Sequence, residues 1–360
     1  MSDQSQLAGD ASPRRPRPHN RLAALALSLL TALALGEVGV RSTIGSPLAE
    51  RTPLLLVRTH PTRGWEMLPG EVHYTYHHAV AVNSLGLRGG EVAQTKGVER
   101  RILVLGDSLV YGQGVGDDET VPHYLERALR SAAGGDGAWR VINGGLRGYG
   151  TAQELALLDE LAERIDPDVV VLVWYWNDLA EPPVERVAER LAPWEAVAFD
   201  LGAPFAGSAR LRWRATQVLR KSALLMFLHD RFKARSGGNQ EPTLKEPVAE
   251  AGFERLAAHL DRFVAAGALR GFRPLMAIVP ESASLRRAHP TREMALRAAS
   301  LAAASDLEVI DLHEPLAELA AAAGRAPIIP FDGHYLPNAN RAMAETIAAR
   351  ILAQEGDAGR

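Results

Sequence analysis

Short apolar runs alternate with longer amphipathic stretches over most of the chain, after one long apolar segment near the N-terminus. Strand-like runs lie at 101–105, 139–142, 168–173, 273–279 and 307–311. Helix-like patterns lie at 120–132, 152–164, 251–268, 290–304, 313–323 and 338–354. Apolar runs of this length are typical of strands buried on both faces. Because helices separate them, the pattern predicts an α/β domain with a parallel, doubly wound sheet.

Three polar or small residues follow the ends of the first three predicted strands. Ser108 comes after the first strand, Gly148 after the second and Asn177 after the third. Right-handed crossovers place the carboxyl ends of parallel strands at one edge of the sheet, and ligands bind at that edge in this fold class. We therefore expect the three residues to converge on a crevice there.

The N-terminal region combines a basic polar stretch with the long apolar segment. Residues 1–21 are polar and basic, with Arg14, Arg15 and Arg17, and we predict that they are disordered. Residues 22–40 span about 28 Å as a helix, close to the hydrocarbon core of about 30 Å. The basic flank predicts an N-terminus in the cytoplasm and the remaining chain outside it. A transmembrane anchor is favoured; a cleaved signal is the alternative, because Ala32-Leu-Ala34 resembles a cleavage site.

Residues 41–98 are predicted to form an N-terminal extension with short strands. Residues 72–82 alternate well enough for a strand or a hairpin arm. His73, His77 and His78 lie in this stretch, but no carboxylate stands at matching spacing. A solvated strand face is therefore favoured over a metal site.

An insertion at about 181–250 interrupts the alternation after the third strand. It holds several aromatic residues, Trp194, Phe199, Phe205, Trp213, Phe227 and Phe232. Residues 209–235 are predicted as one helix with basic residues around an apolar stripe. Three interpretations remain open: a lid or acceptor-binding surface, a basic amphipathic helix lying on a membrane, and an ordinary helix with a solvated basic face.

Composition and missing motifs exclude several classes of chemistry. The chain has 360 residues, a net charge of −3 and no cysteine, so a nucleic-acid partner, disulfides and thiolate chemistry are not indicated. No P-loop is present, and Asp117 stands where a GxGxxG loop beginning at Gly112 needs its third glycine. Val110 likewise breaks the GxSxG pattern around Ser108. We expect neither a cofactor nor a metal.

Four blocks in a fixed order carry the chemistry. They are Gly106-Asp-Ser108, Asn143-Gly-Gly-Leu-Arg-Gly148-Tyr-Gly-Thr, Trp174-Tyr-Trp-Asn177-Asp, and Asp332-Gly-His334 before the last helix. With this combination the chain resembles the SGNH (GDSL-type) hydrolases, which are serine esterases and acyltransferases on a flavodoxin-like sheet. The resemblance covers roughly residues 80–355 and implies a hydrolase domain at 99–355.

The resemblance assigns roles to the four blocks. Ser108 would be the nucleophile, His334 the general base and Asp332 the residue that orients His334. The oxyanion would be bound by the backbone N–H groups of Ser108 and Gly148 and by the side-chain amide of Asn177.

The chain departs from the commonest family pattern at two points. One residue rather than two separates Asp332 from His334, and Tyr175 stands where a glycine is common. Asp311-Leu-His313 is a second Asp-x-His pair, and Gly145 is a rival to Gly148 as an oxyanion donor.

We interpret the chain as a membrane-anchored, extracytoplasmic serine esterase acting on an acyl ester, with an acetylated or otherwise acylated saccharide as the substrate that family analogy favours. The first alternative is an O-acyltransferase that uses the same residues to modify a cell-envelope or exported polysaccharide. The second is a carbohydrate-binding protein on the same fold that has lost turnover.

Overall fold

The computed structural model describes residues 18–132, 139–180, 197–198, 207–235 and 246–358. Its strands are β1 (Leu56–His60), β2 (Gly64–Met67), β3 (Val72–Thr75), β4 (His78–Ala81), β5 (Arg100–Gly106), β6 (Trp139–Gly145), β7 (Val169–Trp174), β8 (Val197–Ala198), β9 (Arg273–Ile278) and β10 (Glu308–Asp311). Its helices are α1 (Pro18–Thr43), α2 (Ser108–Tyr111), α3 (Val121–Ala132), α4 (Thr151–Ile165), α5 (Gly207–Leu219), α6 (Ala223–Arg235), α7 (Glu246–Arg270), α8 (Pro290–Ala304), α9 (His313–Ala323) and α10 (Pro337–Ala358).

The central sheet has five parallel strands in the order β10-β9-β7-β5-β6. Counted along the chain within this sheet, the order from the other edge is 2-1-3-4-5, which is the flavodoxin-like order. The register pairs Leu105 with Gly144 on one side and with Leu172 on the other. The predicted α/β fold with a parallel, doubly wound sheet is confirmed. Its switch point lies between β5 and β7, so the crevice opens where these two strands end.

Alternate residues of each strand enter two separate cores, as the two-residue period of a strand requires. On β5, Leu103 and Leu105 pack with α4, α7 and α8. Ile102 and Val104 pack with α3, α9 and α10 on the opposite face. Both sets of side chains are fully buried, which explains why the strands contain uninterrupted apolar runs.

The extension forms two small β structures that join the first of these cores. β1 pairs antiparallel with β2 and with β8, and β3 and β4 form a hairpin. Val57, Met67 and Val80 are buried in the same core as α4 and α7. The prediction that His73 lies on a solvated strand face is wrong, because its side chain is buried with only 1% exposed. It points toward the core side of the hairpin.

Helix α1 is apolar and exposed over most of its length, and its C-terminal end contacts the start of α6. Its leucines from Leu22 to Leu35 are exposed, and Arg21–Thr43 is, among the described residues, the one helix long and apolar enough to cross a membrane. The helix begins at Pro18, so the prediction of disorder is wrong for residues 18–21. The rest of that predicted segment, 1–17, lies outside the described residues.

The insertion contains two helices where the sequence pattern predicted one. α5 ends at Leu219 and α6 begins at Ala223. The break occurs because the Ser222 hydroxyl accepts a hydrogen bond from the Leu225 N–H (3.1 Å), as a helix N-cap does. Three aromatic residues of the insertion, Trp194, Phe199 and Phe205, lie outside the described residues.

Candidate active site

Ser108 stands at the carboxyl end of β5, where the chain turns directly into α2. Asp107 caps this short helix, because its carboxylate accepts a hydrogen bond from the Leu109 N–H at 2.8 Å. The cap turns the chain sharply enough to leave Ser108 at the first helical position, at the open end of the sheet. Burial raises the pKa of Asp107, although Leu109 and Asn177 both donate to its carboxylate.

Ser108, His334 and Asp332 form a continuous hydrogen-bonded series. The Ser108 Oγ lies 2.8 Å from His334 Nε2, and His334 Nδ1 lies 2.5 Å from Asp332 Oδ1. The loop before α10 brings both residues to the carboxyl edge of the sheet. The series connects a hydroxyl, an imidazole and a carboxylate in the order that nucleophile activation requires.

Asp332 is held by more groups than His334 alone. Tyr76 donates its hydroxyl to Asp332 Oδ2, and Gln113 Nε2 donates to the same oxygen at 3.2 Å. Burial acts to raise the pKa of Asp332, but the hydrogen bond and charge of His334 and the Tyr76 hydroxyl outweigh it and hold that pKa well below its usual range. Burial and the Asp332 charge raise the pKa of Tyr76, so its hydroxyl keeps the donated proton.

Asn177 lies in a short 3₁₀ helix, Trp176–Ala180, directly after β7. Asp178 caps this turn by accepting the Tyr175 N–H at 3.2 Å. Asn177 Nδ2 donates to Asp107 Oδ2 at 3.2 Å, which orients the amide beside the serine turn. Because an asparagine amide carries two N–H groups, one donor is left for a ligand.

The structure separates the two candidate glycines. The Gly145 N–H donates to Asn143 Oδ1 at 2.9 Å, and a Cβ at this position would lie 2.1 Å from the Tyr111 nitrogen. Gly145 therefore serves the packing of α2 against β6. Gly148 lies in the following loop with φ of +75°, a conformation that favours glycine.

A buried arginine of the extension fixes the loop that follows Ser108. The Arg88 guanidinium donates to the carbonyl oxygens of Tyr111, Gly112 and Val115 at 2.8, 2.7 and 2.8 Å. It also pairs with Asp117 at 2.8 Å. The sequence pattern gave Arg88 no role beyond the N-terminal extension, and the structure shows that it donates to three carbonyl oxygens in the turn after Ser108.

The rival Asp-x-His pair has other partners. Asp311 accepts the His313 N–H at 3.0 Å and pairs with Arg292 at 2.7 Å. His313 Nε2 lies 3.2 Å from the carbonyl oxygen of Ser284. The structure thus brings Ser108 together with His334 and leaves His313 at the start of α9. Within the residues that the structure describes, no group of three or more His, Asp or Glu side chains is arranged to hold a metal ion.

Two site residues had no signal in the sequence. Tyr76 reaches Asp332 from a hairpin turn 256 positions away, and Gln113 reaches it from the loop after α2. Both contacts depend on tertiary packing. Neither residue type stands at a spacing that would have indicated a role.

A parallel sheet with a hydrogen-bonded serine, histidine and aspartate at its carboxyl edge is an arrangement typical of serine-type hydrolases. The chain belongs to the GDSL-like lipase/acylhydrolase family, whose model matches residues 104–342. It is an ester-hydrolysing enzyme of the SGNH class.

Several solved structures are similar to the chain. An acetyl xylan esterase, AlAXEase, has 11% identity and a TM-score of 0.41, covering 70% of this chain and 99% of that one. The psychrotrophic esterase EstA from Pseudoalteromonas sp. has 14% identity and a TM-score of 0.40, covering 72% and 100%. A lipase/acylhydrolase from Enterococcus faecalis has 15% identity and a TM-score of 0.40, covering 71% and 96%. A search of the curated proteins gives no match.

Proposed function

We propose that Ser108 is the nucleophile of an acyl esterase, with His334 as its general base and Asp332 as the residue that orients the base. The observation that carries this proposal is the pair of contacts on His334: 2.8 Å from Nε2 to the Ser108 Oγ and 2.5 Å from Nδ1 to Asp332 Oδ1. A proton on Nδ1 is donated to Asp332, which leaves the lone pair of Nε2 facing the serine hydroxyl.

The reaction then has two steps, acylation of Ser108 and hydrolysis of the acyl-serine. Ser108 Oγ bonds to the ester carbonyl carbon while its proton moves to His334 Nε2. The bond to the alcohol oxygen breaks as Nε2 returns that proton to it, and an acyl-serine remains. Water next bonds to the acyl carbon, gives a proton to Nε2, and the acid leaves as the serine oxygen is reprotonated.

The oxyanion of both tetrahedral intermediates is assigned to three donors: the backbone N–H groups of Ser108 and Gly148 and the side-chain amide of Asn177. The positive φ of Gly148 and the bond from Asn177 to Asp107 support this assignment. Loss of one such donor typically slows an acyl transfer by about 10²–10³.

The proposed substrate is an acylated saccharide, with acetyl as the acyl group. Tyr175 and Trp176 stand immediately before Asn177, with ring centroids 5.7 Å apart. Both contact Glu281, to which Trp176 Nε1 donates at 3.1 Å and Tyr175 donates its hydroxyl. Aromatic rings held in this way beside the oxyanion donors offer faces against which a sugar ring packs.

The proposed location is outside the cytoplasm, with α1 as a membrane anchor. The arginines that precede α1 and its exposed apolar surface support this topology. A cleaved signal would release the same catalytic domain in a shorter chain.

Transfer of the acyl group to a saccharide hydroxyl is the second candidate. The observation that favours it is Arg220, in the turn between α5 and α6, whose guanidinium lies 5.0 Å from the Tyr76 ring centroid. The insertion therefore reaches the neighbourhood of the proposed triad, where a cover over the acyl-enzyme would act. The ratio of free acetate to acetylated oligosaccharide, measured with an activated acetyl ester, decides between the two candidates.

A fluorophosphonate probe tests the nucleophile. The probe should modify Ser108, and the Ser108→Ala, His334→Ala and double variants should lose nearly the same activity, because the residues act as one unit. Ser300→Ala, which changes an exposed serine of α8, is the matched control and should keep full activity. Substantial esterase activity in Ser108→Ala would exclude the proposed mechanism.

A further inference from the structure

The outer end of α1 is joined to α6 by several hydrogen bonds. The Glu37 carboxylate accepts from the Ser222 hydroxyl at 2.7 Å and from the Ala223 and Leu224 N–H groups at 3.0 and 2.9 Å. Arg41 also donates to the carbonyl oxygen of Lys221 at 3.1 Å. One carboxylate therefore caps the first turn of α6, and this fixes the start of α6 beside α1.

The position of Glu37 along α1 determines how deep the start of α6 lies in a membrane that α1 spans. Sixteen helical steps of 1.5 Å separate Arg21 from Glu37, which gives about 24 Å of apolar helix between two charged residues. A hydrocarbon core is about 30 Å thick, so Glu37 lies near its outer boundary when α1 spans the bilayer. The start of α6 then lies at the membrane–water interface.

Helix α6 combines apolar and cationic side chains, as helices that lie at a membrane–water interface do. Its first half, residues 223–228, is entirely apolar, and its second half carries Arg231, Lys233 and Arg235 with one acidic residue, Asp230. Ala223 and Met226 are buried against the protein, whereas Leu225, Leu228 and Phe232 are 43%, 51% and 75% exposed. The exposed three stand at i, i+3 and i+7, so they share one face of the helix.

We propose that α6 is a membrane-docking helix that lies in the outer interface of the bilayer spanned by α1. Leu225, Leu228 and Phe232 enter the boundary between headgroups and acyl chains, and Arg231 and Lys233 bind lipid phosphates. This inference rests on the proposed role of α1 as an anchor. The occupant is a lipid surface because the exposed face begins at the contact with α1, and because cationic side chains beside an apolar face match an anionic bilayer.

The docking helix is also connected to the proposed triad. Arg220, two residues before Ser222, lies over the ring of Tyr76, and Tyr76 donates to Asp332. Two side chains thus separate the membrane-docked turn from the triad carboxylate. This places the catalytic edge of the sheet close to the membrane surface.

The absence of cysteine makes a direct test possible. The full-length Leu228→Cys variant is labelled with an environment-sensitive fluorophore and reconstituted into phosphatidylcholine–phosphatidylglycerol vesicles, with and without doxyl-lipid quenchers placed either at a shallow depth, for position 228, or near the bilayer centre, for position 30. Leu30→Cys reports on α1. Leu269→Cys is the matched control: this leucine is 82% exposed and stands where α7 approaches the amino end of β9, opposite the catalytic edge.

We expect lipid quenching of about twofold or more at positions 30 and 228, since docked helices enter the bilayer by about 5–10 Å, and little at 269. Quenching at 30 with position 228 behaving like 269 would overturn the docking proposal and leave the anchor intact. No quenching at either would overturn both. A label at 228 shielded from lipid quenchers and from aqueous iodide would point to a protein partner and would also overturn it.

Two further measurements complete the test. Hydrolysis of a soluble ester by labelled Leu228→Cys should equal that of wild type, which shows that the domain is folded. Arg231→Gln with Lys233→Gln should reduce quenching at 228 in phosphatidylglycerol vesicles to the level seen in pure phosphatidylcholine. Unchanged quenching in the anionic vesicles would contradict the assigned role of the two cations.

Discussion

Tyr76→Phe removes a single hydroxyl that touches Asp332 and leaves the ring in place. Tyr76 adopts a φ of 54° in the turn between β3 and β4, and Arg220 lies over its ring. Its hydroxyl and the Gln113 amide both donate to Asp332 Oδ2. The substitution therefore tests whether the extension positions the carboxylate that in turn orients His334.

The expected fall in kcat depends on the hydrogen bonds that Asp332 keeps in the Tyr76→Phe variant. Removing a hydrogen bond to a charged group costs about 1.5–3 kcal/mol. Asp332 keeps Gln113 and two bonds from His334, so the lower end of that range applies. A loss of about 1.5 kcal/mol in transition-state stabilisation is roughly a tenfold fall in kcat. KM should not change, because the hydroxyl contacts Asp332 and its donated bond is not directed at substrate.

Steady-state hydrolysis of a soluble acetyl ester measures kcat and KM separately. Tyr74→Phe is the control, since Tyr74 belongs to the same hairpin but stacks under Arg51, with 4.6 Å from guanidinium to ring centroid. It should retain wild-type kcat. A Tyr76→Phe enzyme with kcat within twofold of wild type, or with a raised KM and unchanged kcat, would refute the positioning role.

Four further outcomes are expected. Asp332→Asn should lower kcat by roughly 10²–10⁴, whereas Asp311→Asn should leave kcat near wild type; the reverse pattern would transfer the role to the second pair. Asp332 has a pKa well below its usual value of 3.8, so its stabilising contribution is present above about pH 4 and decreases as the pH falls below it; the difference in urea unfolding free energy between wild type and Asp332→Asn should therefore shrink steadily as the pH is lowered below about 4. Arg88→Met should cost about 3 kcal/mol or more in unfolding free energy because three carbonyls lose their donor, against less than about 1 for exposed Arg58→Met. A reporter fused after residue 45 should be active outside the cytoplasm, and activity inside would contradict the topology.

The sequence sufficed to predict the sheet and the strand ends that carry the site. Buried parallel strands need apolar residues on both faces, so β5, β7 and β9 left continuous apolar runs that a periodicity argument detects. The flavodoxin-like arrangement then brings the segments after β5, β6 and β7 to one edge. The positions of Ser108 and Asn177 at the carboxyl edge were predictable because both residues closely follow such strands, where the fold leaves little freedom.

Contacts between segments remote in sequence were not predictable in the same way. The burial of His73 and the contact of Tyr76 with Asp332 depend on how the extension packs against the domain. Nothing in the alternation of residues 72–82 indicates which face meets the core. The break between α5 and α6 was missed for a similar reason: Ser222 is a recognisable cap, but its use depends on Glu37 supplying the remaining acceptor for the first turn.

The short spacing of Asp332 and His334 has a structural explanation in the loop that holds them. Gly333 adopts a φ of +98°, and Phe331 before Asp332 also has a positive φ of 63°. With this backbone conformation His334 turns back toward Asp332. The His334 N–H, at 3.1 Å, and the ring Nδ1, at 2.5 Å, both contact Asp332 Oδ1. Both of these His334 contacts are therefore made to the same carboxylate oxygen, Oδ1. The second oxygen, Oδ2, then depends on donors from elsewhere, and Tyr76 and Gln113 supply them. The one-residue spacing therefore places both His334 contacts on Oδ1 and leaves Oδ2 to Tyr76 of the N-terminal extension and to Gln113.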